Sequence, residues 1–122
     1  MTESREVEGK VASATLRNAR ISPRKARLVV NMIRGRHVGE ALEVLAANDR
    51  KGSVLVRKLL LSAVANAKDR AGVDVEELFV KRAWVNEGRV LKRWLPRAQG
   101  RATPIRKRHS SITLVLDEVG AL

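Results

Sequence analysis

Apolar residues recur along this chain with two different periods, and each period marks a different kind of element. Between Ser22 and Gly35, Ala26, Val29, Val30 and Ile33 fall at i, i+3, i+4 and i+7, the spacing that lines one face of a helix. Ser22 stands where a capping side chain belongs, Pro23 suits the first helical position, and Gly35 supplies a stop. Val38, Ala41, Leu42 and Leu45 repeat the pattern in a shorter segment ending near Asn48. A third helix is predicted to open at Gly52 or Ser53, to bury Val56, Leu59, Leu60, Ala63, Val64 and Ala67, and to stop at Gly72. Connections this short predict one packed cluster of three helices.

Elsewhere the period drops to two. Val11 to Ile21 alternates apolar and polar residues and predicts a strand. Leu78 to Val85, rich in Phe, Val and Trp, reads as extended, and Ser111 to Asp117 alternates Ile112, Leu114 and Leu116 with Thr113 and Val115. Between these last two strands, residues 86–110 carry neither pattern. A structureless loop of that length is improbable inside a small domain. The two flanking strands can instead continue outward as one long antiparallel ribbon, with Pro96, Gly100 and Pro104 marking the turn region at its far end.

Composition adds a size and a charge. The chain has 122 residues, enough for one domain, and 44% of them are hydrophobic, enough for a core. It contains no cysteine, which excludes a disulfide scaffold, a cysteine-based zinc site and a thiol nucleophile. No apolar run approaches the roughly 18 residues of a membrane span. The first ten residues have neither a hydrophobic signal core nor the acid-poor character of a transit peptide, so the expected location is the cytoplasm.

Lys and Arg number 25 against 13 Asp and Glu, a formal charge of +12. The excess lies in two blocks: Lys10 to Arg36 carries +8 with no acid, and Lys81 to His109 carries +9 with Glu87 as the one acid. The middle of the chain is nearly neutral. A polyanion is the partner that relieves such repulsion, and the predominance of Arg suits bidentate contact with phosphate. A ribbon with almost no apolar face is marginal in water, so its walls are expected from outside the domain. An arginine-rich ribbon of this reach fits between packed RNA helices better than on a regular duplex. An interfacial membrane helix would not be broken by prolines and glycines as this segment is.

The strings ISPRKARLVVNMIRG at 21–35, SAVANAK at 62–68, WVNEG at 84–88, LKRWLPRAQGRATPIRKR at 91–108 and HSSITLVL at 109–116 resemble the bacterial-type family of ribosomal large-subunit protein twenty-two. The resemblance runs from about Val11 to Asp117. It implies an α+β fold: a three-helix body packed on a small three-stranded antiparallel sheet, with a long protruding β-hairpin at about 86–106. It implies a place in ribosomes, with large-subunit rRNA, neighbouring ribosomal proteins and the nascent peptide in the exit tunnel as partners. A role early in subunit assembly is also implied, and macrolide antibiotics would bind nearby in the tunnel. No membrane partner, small-molecule substrate or cofactor is implied. The acidic residues 1–10 depart from the family's short start and are expected to be a disordered extension to a single domain at 11–122.

Residue by residue, the resemblance assigns rRNA contact to Arg20, Ser22, Arg24 and Lys25 at the start of the first helix. It assigns the same role to Lys92, Arg93, Arg97 and Arg101 in the hairpin, and to Lys107, Arg108 and His109 on its returning strand. Arg17, Arg27, Lys81, Arg82, Arg89 and Arg106 join them as the remaining expected contacts within the two blocks. Leu91, Lys92, Arg93, Trp94, Pro96 and Gly100 are the expected hairpin tip. Trp94, where the family usually has an aliphatic residue, either stacks on RNA or faces an open channel, whereas Trp84 is expected to pack at the hairpin base. A helix N-terminus such as Ser22-Pro23 offers free N–H groups to phosphate.

Catalysis is not expected. His109 beside Ser110 and Ser111 lacks the third group that would orient a nucleophile–base pair, so a phosphate or backbone hydrogen bond is its expected use. Asp74, Glu76 and Glu77 read as a solvated loop and not a metal site. There is no Walker-type loop, HExxH or dinucleotide fingerprint. The rival to a ribosomal protein is a free-standing regulatory protein that binds nucleic acid reversibly. Such a protein would have to expose the unsupported ribbon after each release.

Overall fold

The computed structural model describes residues 12–96, 100 and 102–118, with side chains throughout except at 71, 91–96 and 102–106. The expectation for residues 1–10 lies outside the described residues. In chain order the elements are β1 (Ala12–Ala19), α1 (Pro23–Ile33), α2 (Val38–Ala47), α3 (Lys51–Ala71), a 3₁₀ turn (Val75–Glu77), β2 (Leu78–Pro96) and β3 (Ala102–Glu118). The sheet is antiparallel in the order β1-β3-β2. The architecture is thus α+β, with three helices on one three-stranded sheet, as expected.

The period-two alternation decides which sheet face is buried. Ala12 pairs with Leu116, Ala14 with Leu114 and Leu16 with Ile112, and from the other side Val80, Ala83 and Val85 pair with the same three β3 residues. This row faces the helices, where it meets Val29, Val30 and Ile33 of α1, Val38, Ala41 and Leu45 of α2, and Val56, Leu60 and Ala63 of α3. Ile33, Leu45, Leu60, Leu78, Ile112, Leu114 and Leu116 are its largest fully buried members. Each such side chain contributes about 1.5–3 kcal/mol when withdrawn from water. The opposite face carries Thr15, whose hydroxyl meets that of Thr113 at 3.2 Å, together with exposed Arg82 and half-buried Trp84.

Helix boundaries follow their local chemistry. Pro23 opens α1, with Ser22 at the N-cap, but the Ser22 hydroxyl makes no capping bond. Only its carbonyl is engaged, accepting from the Ala26 N–H at 3.0 Å. His37 caps α2 instead of a hydroxyl or carboxylate: Nδ1 accepts from the Gly39 N–H at 3.2 Å while Nε2 lies 2.6 Å from the Glu76 carbonyl. A carbonyl can only accept, so the ring is the Nε2–H tautomer and staples α2 to the 3₁₀ turn. Helix α3 starts at Lys51, earlier than Gly52 or Ser53, because the Asn48 side chain takes the Arg50 N–H at 2.9 Å and fixes a turn before Arg50. It ends at Gly72, whose φ of +63° is left-handed.

Strand β2 forms one edge of the sheet, and the body covers that edge. The Gly35 N–H donates to the Val80 carbonyl and the Val80 N–H to the Arg36 carbonyl, both at 2.9 Å, and His37 bridges to Phe79. Further along, Arg34 donates to the Ala83 carbonyl through Nε at 3.1 Å and Nη2 at 2.7 Å, and Arg27 Nη2 donates to the Val85 carbonyl at 3.1 Å. The edge groups so engaged are unavailable to another strand.

Candidate nucleic-acid interface

Past Glu87 and Ser110 the sheet loses its third strand, since β1 reaches only to Ala19 opposite Ser110. The ribbon leaves the body at a bulge. The β2–β3 register shifts between Glu87 and Val90, and a Cβ at Gly88 would stand 3.1 Å from the His109 carbonyl oxygen. Glycine there spares the two backbones a tight contact. His109 Nδ1 lies 3.1 Å from the Arg89 carbonyl and therefore donates to it, locking the bulged turn of chain from the opposite strand. Next to it, Ser110 is buried, and its hydroxyl donates to the Ile21 carbonyl at 2.6 Å, tying the ribbon's root to the start of α1.

Beyond the bulge, pairing runs without interruption from Val90↔Arg108 through Leu91↔Lys107, Lys92↔Arg106, Arg93↔Ile105 and Trp94↔Pro104 to Pro96↔Ala102. In this register Lys92 pairs with Arg106, so two basic residues occupy opposite positions on the two strands. Arg89, Val90, Lys107 and Arg108 are exposed. Among the described side chains of the shaft, none is buried as those of the first half of β2 are.

The pairing also relocates the tip. Leu91, Lys92 and Arg93 lie on the shaft, Pro104 is a strand residue opposite Trp94, and Pro96, the last residue of β2, borders the turn. Proline is tolerated because each strand of a two-stranded ribbon is an edge strand with one side free of ladder bonds. The turn lies between Pro96 and Ala102, where Gly100 has φ +72°. For Trp94 the register gives a shaft position opposite Pro104. Arg97 and Arg101 lie outside the described residues.

Of the expected contacts, the structure brings five together, Ser22 and four cations. Arg20, Arg24, Lys25 and Arg108 line a cleft of about 910 Å³, with Ser22 half-buried at its edge. Arg50 and Lys51 enter the same cleft from the start of α3, and no acid lines it. Sequence reasoning missed these two because they sit in the nearly neutral middle of the chain, and only the fold carries them to the first basic block. Arg17 is exposed on β1 and Arg82 on the open sheet face, away from this cluster.

Two expected contacts have work inside the protein. Lys81 pairs with the buried Asp117 carboxylate at 3.1 Å, and Arg27 is engaged with the Val85 carbonyl described above. Their positive charge counted toward the blocks, but their donors are partly committed to holding β2. Among the described residues the other ion pair joins Arg36 to Glu40. The cations of the cleft and of the ribbon shaft at Arg89, Lys107 and Arg108 have no carboxylate partner among the described residues.

Comparison with known proteins agrees with this layout. Residues 14–117 match the model of the family described as ribosomal protein L22p/L17e. The chain is 53% identical over 107 residues to the large ribosomal subunit protein uL22 of Syntrophotalea carbinolica, covering 88% of this chain and 97% of that protein. The protein of that name from Lacticaseibacillus casei is 50% identical over 107 residues, 88% of this chain and 92% of its own length. That of Ligilactobacillus salivarius is 52% identical over 105 residues, 86% and 91% of the two chains. The match spans both the body and the paired ribbon, and the chain belongs to the ribosomal protein L22p/L17e family.

Proposed function

We propose that this chain is a structural, non-enzymatic constituent of the large ribosomal subunit, where it holds large-subunit rRNA and meets neighbouring ribosomal proteins. The body rests on folded rRNA through the cleft beside α1. The arm, about 86–106, enters the particle as a wedge, neutralises phosphates from two sides, and lines the exit tunnel where the nascent peptide passes. In doing so it links RNA segments that would otherwise repel, which favours subunit assembly.

The observation that carries this reading is the two-stranded shaft. Lys92 pairs with Arg106 in its register, and Arg89, Lys107 and Arg108 at its root are exposed with no acid partner among the described residues. Folded RNA supplies both things the ribbon lacks, a wall to pack on and a counter-charge. Phosphate contact also explains why the cations are mostly arginine, whose planar fork meets two phosphate oxygens at once.

The test is sedimentation of a bacterial lysate containing the tagged chain in high salt. The chain should remain with the large subunit, and its release to the soluble fraction would contradict the reading. In the same protein, Arg89→Ala with Lys107→Ala should weaken binding to deproteinised large-subunit rRNA about tenfold. The slope of log affinity against log salt should fall by about 1–2, with helical circular dichroism unchanged.

A further inference from the structure

The start of α3 presses against the start of α1, and that contact creates a site that neither helix has alone. Gly52 makes it possible: a Cβ there would lie 2.8 Å from Ile21 Cδ1 and 3.0 Å from Val29 Cγ2. Bringing the helices this close sets Arg50 and Lys51 beside Arg20, Arg24, Lys25 and Arg108 in one cleft, six cations with no acid among the lining residues. Lys51 is already held, its Nζ donating to the Arg20 carbonyl at 3.0 Å, and Arg50 is anchored through its backbone N–H on Asn48. The Lys51 charge is therefore positioned before any ligand arrives, and the Arg50 backbone is fixed, which lowers the ordering cost of binding.

We infer that Arg50 and Lys51 are RNA-contacting residues, and that the cleft they complete holds a run of the sugar–phosphate backbone continuous with the RNA along the arm. This deepens the rRNA reading above and rests on it. The cations come from four separate places in the chain, a spread that suits successive phosphates on one strand better than a single carboxylate. Four of the six are arginines, and Arg108 belongs at once to the cleft and to the shaft of the ribbon. A polymer that follows the shaft therefore reaches the cleft without leaving the protein surface. Half-exposed Leu28 gives the cleft an apolar wall on which a ribose can lie. Neither helix start has a side-chain cap: in α1, where Pro23 has no N–H, this leaves the Arg24 and Lys25 N–H groups uncapped, and in α3, where the Ser53 N–H donates to the Arg50 carbonyl at 3.0 Å, it leaves those of Lys51 and Gly52.

The test uses the full chain and deproteinised bacterial large-subunit rRNA as the probe. Arg50→Ala with Lys51→Ala should weaken binding about tenfold and reduce the salt slope by about 1–2, while Arg50→Lys with Lys51→Arg keeps most of the affinity. Bound rRNA should also protect the unsubstituted Lys51 amine from acylation, a reading that stands even if the alanine variant folds poorly. Unchanged affinity and slope in the alanine variant, with the Arg89/Lys107 variant weakened, would overturn the cleft assignment and leave the rRNA reading standing. If neither variant were weakened, the rRNA reading itself would fail. Should Lys51 be protected in whole subunits but not by rRNA alone, an acidic protein surface would be the occupant, and the inference would be wrong.

Discussion

The body and the arm use the same sheet, yet they are stabilised in opposite ways. From Leu78 to Val85, β2 has β3 on one side, arginine side chains and a loop on the other, and three helices beneath. From Val90 to Pro96 the same strand keeps only its partner β3. Backbone pairing is continuous across both halves, so pairing is not what separates them. The difference is burial: the body's ladder sits on apolar side chains at or near zero exposure, whereas Val90, the first apolar residue of the shaft, is 45% exposed. A strand can thus be fully paired and still leave an apolar side chain such as Val90 exposed.

Substitutions of matched kind on the two sides should give the widest contrast. Leu60→Ala removes a fully buried side chain between α3 and the sheet and should cost about 2–5 kcal/mol in urea unfolding. Val90→Ala should move the same curve by no more than about 0.5 kcal/mol. Comparable losses at both positions would erase the distinction between body and arm.

Charge can be sorted by the same comparison. Arg34→Ala removes two donors from the Ala83 carbonyl and should destabilise the body by about 1–3 kcal/mol, because that edge carbonyl is part-buried. Arg24→Ala, exposed and without a carboxylate partner among the described residues, should change stability by no more than about 0.5 kcal/mol and instead weaken rRNA binding. If Arg24→Ala were the more destabilising of the two, the division of the arginines into structural and RNA-facing groups would be wrong.

The smallest effect belongs to the junction. Gly88→Ala crowds the His109 backbone, so the strands must part slightly at the bulge. Stability should fall by less than about 1 kcal/mol, while the His109 ring resonances shift in NMR spectra as its bond to Arg89 adjusts. Unshifted His109 signals would show that the bulge does not depend on glycine.

Much of the body was legible because burial writes itself into spacing. Ala26, Val29, Val30 and Ile33 were read as one helix face and are all fully buried, and Pro23 marks the first residue of α1. The opening of α3 differs because Asn48 fixes the turn just before Arg50, in polar residues that carry no periodic signal. The regular strand patterns ended at Val85 and began again at Ser111, whereas β2 runs to Pro96 and β3 starts at Ala102. The described side chains of the shaft, Arg89, Val90, Lys107 and Arg108, are all exposed, so burial imposes no alternation on them. Only the improbability of a long loop pointed to a ribbon there. Charge was legible as an amount but not as a direction: Arg27 and Lys81 turn inward to β2 and Asp117, while Arg50 and Lys51 join a block distant in sequence.

Amide hydrogen exchange on the free chain and on its complex with large-subunit rRNA tests the contrast most directly. Without RNA, amides at 88–96 and 102–109 should exchange orders of magnitude faster than those at 78–85 and 111–117, and rRNA should slow the first set while leaving the second nearly unchanged. Equal protection of the two sets in the free chain would contradict the account, because the ribbon would then be stable without the walls that RNA is proposed to supply.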